Sequence, residues 1–192
     1  MGYIDGYNLN DVASLDDPPG FLLGYQSLFL VDIEGFPLGH VEAPLNVNEK
    51  QLVEELLLRV LGECIEVELL AADSQFESQG VFQLLKSLKI GHIIAWRRLK
   101  RRVNPSDVLT VKDRIDVEGP EWKKAIYKRL RAMVEGFNGR AKSRLAYQRF
   151  TWQGLGNASI HVSLVLMVAY AVCIAAYGIG RPELRQSVAF FA

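Results

Sequence analysis

The stretch GYQSLFLVDIEGFPLGHVEA, residues 24–43, contains two runs of aromatic and branched side chains separated by Glu34 and Gly35. Strands favour such side chains, and a short polar pair containing glycine is typical of a hairpin loop. The pattern predicts strands over residues 24–33 and 36–43. Upstream, residues 3–9 have the pattern of a further strand, so we expect three antiparallel strands in this part of the chain.

Beyond the hairpin the pattern changes to alternating helices and strands. Residues 48–61 have helical period, with Asn46 or Asn48 as the possible cap, and a strand follows over 66–72. A second helix over 80–89, a strand over 91–96 and a long helix over 121–145 come next. This order predicts an α/β fold, a mixed sheet flanked by helices.

The composition restricts the function only weakly. The 192 residues are 49% hydrophobic and 23% charged, enough for the core of one domain, and the formal net charge is zero. Nucleic-acid binding must therefore depend on local basic patches. Cys64 and Cys173 fit neither a disulfide framework nor a metal-ligand spacing, and we expect buried thiols. The N-terminal residues lack the pattern of a signal peptide, so we expect a cytoplasmic protein.

The segment over residues 158–180 is apolar for nearly the length that spans a bilayer, and Arg181 and Pro182 follow it. Two interpretations remain open from the residues alone. The segment is either a membrane helix or a helix buried in the core of a soluble domain.

Two aspartates occur at predicted strands. Asp5 lies within the first strand pattern, and Asp73 ends the strand LLAAD. Rigid strands are well suited to holding carboxylates in a shared metal site. The alternative is that each aspartate simply opens a turn. Asp16, Asp17 and Asp32 compete with Asp5 as the first acid, and Asp5 is preferred because it alone interrupts a strand pattern.

The third acid of interest is Glu135, in the predicted helix over 121–145. A helical wheel places Glu135 opposite a buried face, and Arg131 and Lys142 lie within about 40° of it. The residues expected on the buried face are Ile126, Leu130, Met133, Phe137 and Ala141, whereas Lys124, Lys128 and Asn138 border the side of Glu135. A lone carboxylate in a basic stripe suggests a site. The alternative is a solvated face with an ordinary Arg131–Glu135 pair.

A second basic group follows Trp96, and it consists of Arg97, Arg98, Lys100, Arg101 and Arg102. It is either a contact for DNA phosphates or a solvated loop. The three histidines, His40, His92 and His161, show no ligand spacing, so we expect structural roles for them.

The run Arg131-x3-Glu135-x6-Lys142 resembles the signature around the last acid in DDE transposases of bacterial and archaeal insertion sequences. In that family a tyrosine usually lies three residues before the arginine. Here Lys128 has that position and Tyr127 is one residue early. Other segments also resemble the family, namely YIDG at 3–6, the hairpin GYQSLFLVDIEGFPLGH, LLAADSQFES at 69–78 and the closing GRPEL.

This resemblance implies a ribonuclease H-like fold in which Asp5, Asp73 and Glu135 hold two Mg²⁺ ions, with Mn²⁺ as a substitute. It implies DNA strand cleavage and strand transfer, with transposon ends and target DNA as partners and self-association on DNA. Arg131, Lys142 and Lys128 would contact DNA. Residues 1–192 would form a single catalytic domain without the usual N-terminal recognition region, and the helix over 158–180 would pack on the core rather than enter a membrane. An inactive, DNA-binding or regulatory remnant and a nuclease of the same fold are the alternatives.

Overall fold

The chain folds around a five-stranded sheet with helices on both faces. The computed structural model describes side chains for residues 24–95, 120–145, 147 and 153–191, and the backbone alone for residues 2–8. The strands are β1 (Gly2–Asn8), β2 (Tyr25–Asp32), β3 (Pro37–Pro44), β4 (Leu69–Ala72) and β5 (Gly91–Ile94). The helices are α1 (Glu49–Gly62), α2 (Gln79–Ser87), α3 (Glu121–Arg144), α4 (Leu155–Gly178) and the short α5 (Val188–Phe191).

The sheet is mixed, as the sequence predicts. Its spatial order is β3-β2-β1-β4-β5, in which β1, β2 and β3 are antiparallel neighbours. The strands β1, β4 and β5 are mutually parallel. The first strand in the chain therefore lies at the centre of the sheet, between an antiparallel and a parallel neighbour.

The two faces of the sheet bury separate cores. Leu28 and Leu30 of β2 face the layer of α1 and α2, whereas Phe29 and Val31 face α3 and α4. This alternation follows from the two-residue period of a strand, and β2 is buried on both faces because helices cover each of them.

Local sequence accounts for most element boundaries. Asn48 caps α1 by accepting a hydrogen bond from the Lys50 amide, and Ser78 caps α2 in the same way through Val81. Strand β4 begins at Leu69, three residues later than the pattern predicts. The prediction of buried thiols is wrong for Cys64, which is exposed after the end of α1, and Cys173 is only half-buried.

Among the described residues, α4 is the one helix that is long enough and apolar enough to cross a membrane, and its most apolar 18-residue window has a mean hydropathy of 2.2. One of its faces packs on the sheet through Ala158, Val162, Val165 and Leu166. Only 28% of its most apolar window is buried, so α4 packs on the sheet along one side and lacks the burial on all sides that the core-helix interpretation predicts.

Candidate active site

Asp5 lies on the central strand β1, and Asp73 directly follows β4, the parallel neighbour of β1. The β1–β4 register pairs Gly2 with Leu70 and Ile4 with Ala72. The register ends at the latter pair, so Asp5 and Asp73 are the residues that directly follow its two members. Two acids that are 68 positions apart in the sequence thus occur at the same end of the β1–β4 ladder.

The same ladder places Asp5 on a particular face of the sheet. Asp5 is the antiparallel partner of Phe29, and residues directly opposite each other share a face. Phe29 belongs to the core formed with α3 and α4. Asp5 therefore occupies a position on the face that α3 covers.

Asp73 leaves β4 with an extended backbone, φ −69° and ψ 164°, and precedes a short 3₁₀ turn over Ser74–Phe76. Its Oδ1 accepts a hydrogen bond of 2.6 Å from the Ser74 amide, and Phe76 anchors the turn in the core. Asp73 therefore has the turn role that the alternative predicts. An ionised carboxylate offers about four acceptor positions, so this role is compatible with metal binding.

Helix α3 lies across this face of the sheet, but its orientation differs from the prediction. Tyr127, Val134 and Asn138 are buried together with Leu130, Phe137 and Ala141. Ile126 and Met133, which the sequence assigns to the buried face, are only half-buried. At about 100° per residue, Glu135 borders the buried face instead of lying opposite it.

Glu135 is exposed and forms an ion pair. Its Oε1 lies 2.7 Å from Arg131 Nε, and the two side chains are 58% and 51% exposed. This is the pair that the solvated-face alternative predicts, and such a pair contributes about 0.3–0.5 kcal/mol. Glu135 is thus paired with Arg131, the arginine of the Arg131-x3-Glu135-x6-Lys142 run.

The surface of α3 is strongly basic. Residues 121–144 contain eight lysines and arginines and only two glutamates. At its first turn, a hydrogen bond from Lys124 lowers the pKa of Glu121. Lys128 is exposed and Lys142 is half-buried, so the side of α3 that carries Glu135 presents a concentrated positive charge.

Of the three acids that compete with Asp5, the structure describes Asp32. Asp32 ends β2 and its Oδ1 accepts hydrogen bonds of 2.8 Å from the amides of Glu34 and Phe36, which is the role of a turn residue. Asp16 and Asp17 lie outside the described residues. The same holds for Trp96 and the basic group Arg97, Arg98, Lys100, Arg101 and Arg102, so that predicted DNA contact stays a prediction.

A preformed cluster of three metal-ligating side chains is not found among residues 24–95, 120–145, 147 and 153–191. Asp5 lies outside that set. The case for a metal site therefore depends on the register of the β1 and β4 backbones and on the fact that residues 5 and 73 are both aspartates.

The sequence did not predict a polar pair, His40 and Glu42, that lies on the same face of the sheet as Asp5. Glu42 Oε1 lies 2.5 Å from His40 Nδ1, and the Glu42 side chain is 4% exposed. In the sheet register His40 is opposite Phe29 and Glu42 is opposite Ser27, on the same face as Asp5. The spacing of two between His40 and Glu42 in a strand was the available signal.

The other histidines have structural partners. The Nε2 atom of His161 in α4 lies 3.1 Å from the carbonyl oxygen of Tyr147, and His92 packs against Phe82 with ring centroids 5.1 Å apart. Burial raises the pKa of Tyr147 far above its ordinary value. These contacts are of the structural kind that we expect for both histidines.

Comparison with known families gives one match. The family model described as "Transposase DDE domain" matches residues 21–171, more than three quarters of the chain. The match includes Asp73 and Glu135 and begins after Asp5. No curated protein matches the sequence. With most of its length matched, the chain belongs to the transposase DDE domain family.

Proposed function

We propose that this chain performs metal-dependent cleavage and strand transfer of DNA during transposition, with Asp5, Asp73 and Glu135 as metal ligands. The observation that carries the proposal is the parallel β1–β4 register, whose last pair, Ile4 with Ala72, directly precedes Asp5 and Asp73, in a chain of the transposase DDE family. Glu135 lies on α3, the helix that packs on that face of the sheet, at the border of the helix's buried side.

We infer that the fold is ribonuclease H-like. The central position of β1, the antiparallel β2–β3 hairpin on one side and the parallel β4 and β5 on the other support this inference. The placement of α3 over the face that contains position 5 supports it further.

Carboxylates in this arrangement fit Mg²⁺, which binds through a few carboxylate oxygens and keeps positions for water and phosphate. When bound, two such ions activate the attacking hydroxyl and stabilise the leaving oxygen. Asp5 and Asp73 would hold them from the rigid strands. Glu135 would complete the site from α3 by exchanging its Arg131 partner for the cation, and Mn²⁺ would substitute for Mg²⁺.

Release of Arg131 from Glu135 would have a second effect. Its guanidinium would become available for a DNA phosphate beside the metal site, and bidentate contacts suit that group. Lys142 and Lys128 lie on the same side of α3 and would extend the contact along the DNA backbone. We assign the same kind of contact to the basic residues 97–102.

The metal site is tested by thermal melting of the whole chain with and without Mn²⁺. At a concentration ten times the dissociation constant, a cation that binds only the folded state adds about 1.4 kcal/mol. This corresponds to about 3–6 °C for a chain of this size. We expect wild type to gain this stabilisation and Asp73→Asn and Glu135→Gln to lose it.

The matched control is Glu55→Gln in α1. Glu55 forms an i,i+4 pair with Arg59 at 2.6 Å, and its exposure resembles that of Glu135. Removing either glutamate should cost the same small free energy without metal, but only Glu135→Gln should lose the metal effect. Equal melting shifts in all four proteins would refute the three-acid site and favour the inactive, DNA-binding remnant.

Strand transfer is distinguished from simple nuclease activity by its product. With Mn²⁺ and DNA that has a free 3′-hydroxyl end, a transposase joins that end to a target strand, whereas a nuclease of the same fold only shortens the DNA. If the DNA is cleaved and no joined product forms, the chain acts as a nuclease and the strand-transfer proposal is wrong.

A further inference from the structure

Helix α3 buries one carboxamide among the described residues, that of Asn138. Asn138 is 7% exposed, and the other buried polar residues of the described chain, Gln26 and Ser27, lie on β2. An amide in an apolar layer costs free energy unless it makes hydrogen bonds, and asparagine is a weaker helix former than leucine. Stability alone would therefore favour leucine at this position, which points to a role for the amide beyond the stability of the fold.

Asn138 lies one turn after Glu135. Three residues rotate a helix by about 300° and advance it by about 4.5 Å, so the two side chains are about 60° apart around the axis. Asn138 is the nearer of the two to the sheet, because it is buried and Glu135 is exposed. Helical side chains lean toward the N-terminus, so we expect the carboxamide to extend along the turn that carries Glu135. Residues at this spacing are neighbours on a helix surface.

The flank of α3 that carries Glu135 and Asn138 faces away from the β2–β3 hairpin. Arg140 lies on the other flank, where its guanidinium donates a 3.2 Å hydrogen bond to the Gly35 carbonyl in the hairpin turn. At about 100° per residue, Arg140 is about 140° from Glu135 and about 160° from Asn138. The two polar residues are therefore directed away from that turn.

The two aspartates also lie away from the hairpin turn. That turn is beside the start of β1, whereas Asp5 and Asp73 follow the last pair of the β1–β4 ladder. Phe137, which precedes Asn138, packs edge-on against Phe29 with ring centroids 5.3 Å apart. Phe29 is the cross-strand partner of Asp5. Asn138 therefore lies on the side of α3 that faces the sheet, between the third acid and the two aspartates.

We propose that Asn138 is a positioning residue of the metal site, an inference that rests on the proposed function. Its carboxamide N–H donates a hydrogen bond to the Glu135 carboxylate and holds that group toward the sheet once it leaves Arg131. An amide suits this role because it donates a hydrogen bond without adding charge to a site of three carboxylates. Hydrogen bonds of this kind orient metal-binding carboxylates, and removing them typically lowers metal affinity about 10–100-fold.

Titration of the whole chain with Mn²⁺, read by the electron paramagnetic resonance of the free ion, tests this role. We expect Asn138→Leu to melt no lower than wild type without metal, since leucine has nearly the shape of asparagine and no amide to desolvate. The same variant should bind Mn²⁺ about 10–100-fold more weakly. The control is Phe137→Leu on the same buried side of α3, which should melt lower through lost packing and leave the Mn²⁺ dissociation constant unchanged.

Asn138→Gln separates the donor role from a packing role. Glutamine retains the amide donor but adds a methylene to a packed layer, so this variant should melt lower than Asn138→Leu. We nevertheless expect it to bind Mn²⁺ more tightly than Asn138→Leu. The order of metal affinity is then the reverse of the order of stability, which a purely structural role would not produce.

The possible failures are distinguishable. If Asn138→Leu binds Mn²⁺ as tightly as wild type, or if affinity follows melting temperature among the variants, the role of Asn138 is overturned and the three-acid site is retained. If wild type itself binds no Mn²⁺, the metal site is overturned and the role of Asn138 with it.

Discussion

Gly39 shows how a single residue sets the distance between two elements. A Cβ atom at this position of β3 would lie 2.5 Å from Val60 Cγ2 and 3.5 Å from Leu56 Cδ1. Val60 is β-branched and buried in α1, so it cannot easily move away. The absence of a side chain at position 39 is what allows α1 to pack closely on the sheet.

We therefore predict that Gly39→Ala lowers the free energy of unfolding by about 1–3 kcal/mol, the usual cost of overpacking a core. Urea denaturation measures the change. The control is Gly139→Ala in α3, where a Cβ meets nothing within 4 Å in the described structure. That substitution should stabilise the chain by about 0.5–1 kcal/mol through helix propensity. A neutral Gly39→Ala would mean that α1 adjusts its position freely.

The sequence predicted the position of Asp73 at the end of a strand better than it predicted the surroundings of the candidate acids. Asp73 was predictable because an apolar strand ends at it. The polar group of His40, Glu42 and Ser27 was not, since it depends on the pairing of β2 with β3. The wheel misplaced the buried face of α3 because it was centred on Ile126 and left out Tyr127 and Val134, which are buried.

At the level of elements, α4 is fastened to the hairpin by Tyr170. Burial raises the pKa of its phenol, and the nearby Asp32 carboxylate raises it further. The protonated hydroxyl donates to the Pro37 carbonyl, a bond that the ionised form cannot make. This contact joins the apolar helix to β3, the edge strand of the sheet.

A group with a raised folded pKa contributes stability that is present below its unfolded pKa and is lost as pH rises through the folded value. For Tyr170 the loss begins near pH 10, the ordinary tyrosine value. We predict that wild type loses more stability than Tyr170→Phe between pH 9 and pH 11. Melting at both pH values measures this difference, and parallel losses in the two proteins would show that the hydroxyl does not matter.

Element positions were largely predictable because periodicity and capping are local. Asn48 caps the start of α1, so this boundary is a local feature of the sequence. The burial of β2 on both faces is not local, because it requires helices on each side of the sheet. The packing of α4 was not decided by its sequence, since an all-apolar helix has the same composition in a bilayer and in a core. In the structure one side of α4 bonds to β3 through Tyr170 and shares a buried cluster with Phe29.

On the scale of the whole molecule, the zero net charge conceals a separation of charge. Residues 121–144 have six more basic than acidic side chains, whereas residues 49–68 have four more acidic than basic ones. Helix α3 and helix α1 lie on opposite faces of the sheet. Among the described residues, the face of α3 is therefore basic and the face of α1 is acidic, which should orient the chain on DNA.

We predict that DNA affinity falls steeply with salt and that Arg131→Gln and Lys142→Gln each reduce the slope of log affinity against log salt by about 1. Fluorescence anisotropy with a labelled duplex at several salt concentrations measures the slope. Arg59→Gln on α1 is the control and should leave it unchanged. If Arg59→Gln changes the slope as much as the α3 variants do, DNA binds to both faces and the proposed orientation is wrong.

The central position of β1 also affects how the chain folds during synthesis. Strand β2 can pair with one edge of β1 early, but the other edge must wait for β4, about sixty residues later. At roughly 5–20 residues per second, the ribosome leaves that edge open for about 3–12 s. An unpaired strand edge is a template for association with other chains. Slow translation between residues 8 and 69 should therefore increase aggregation of the nascent protein.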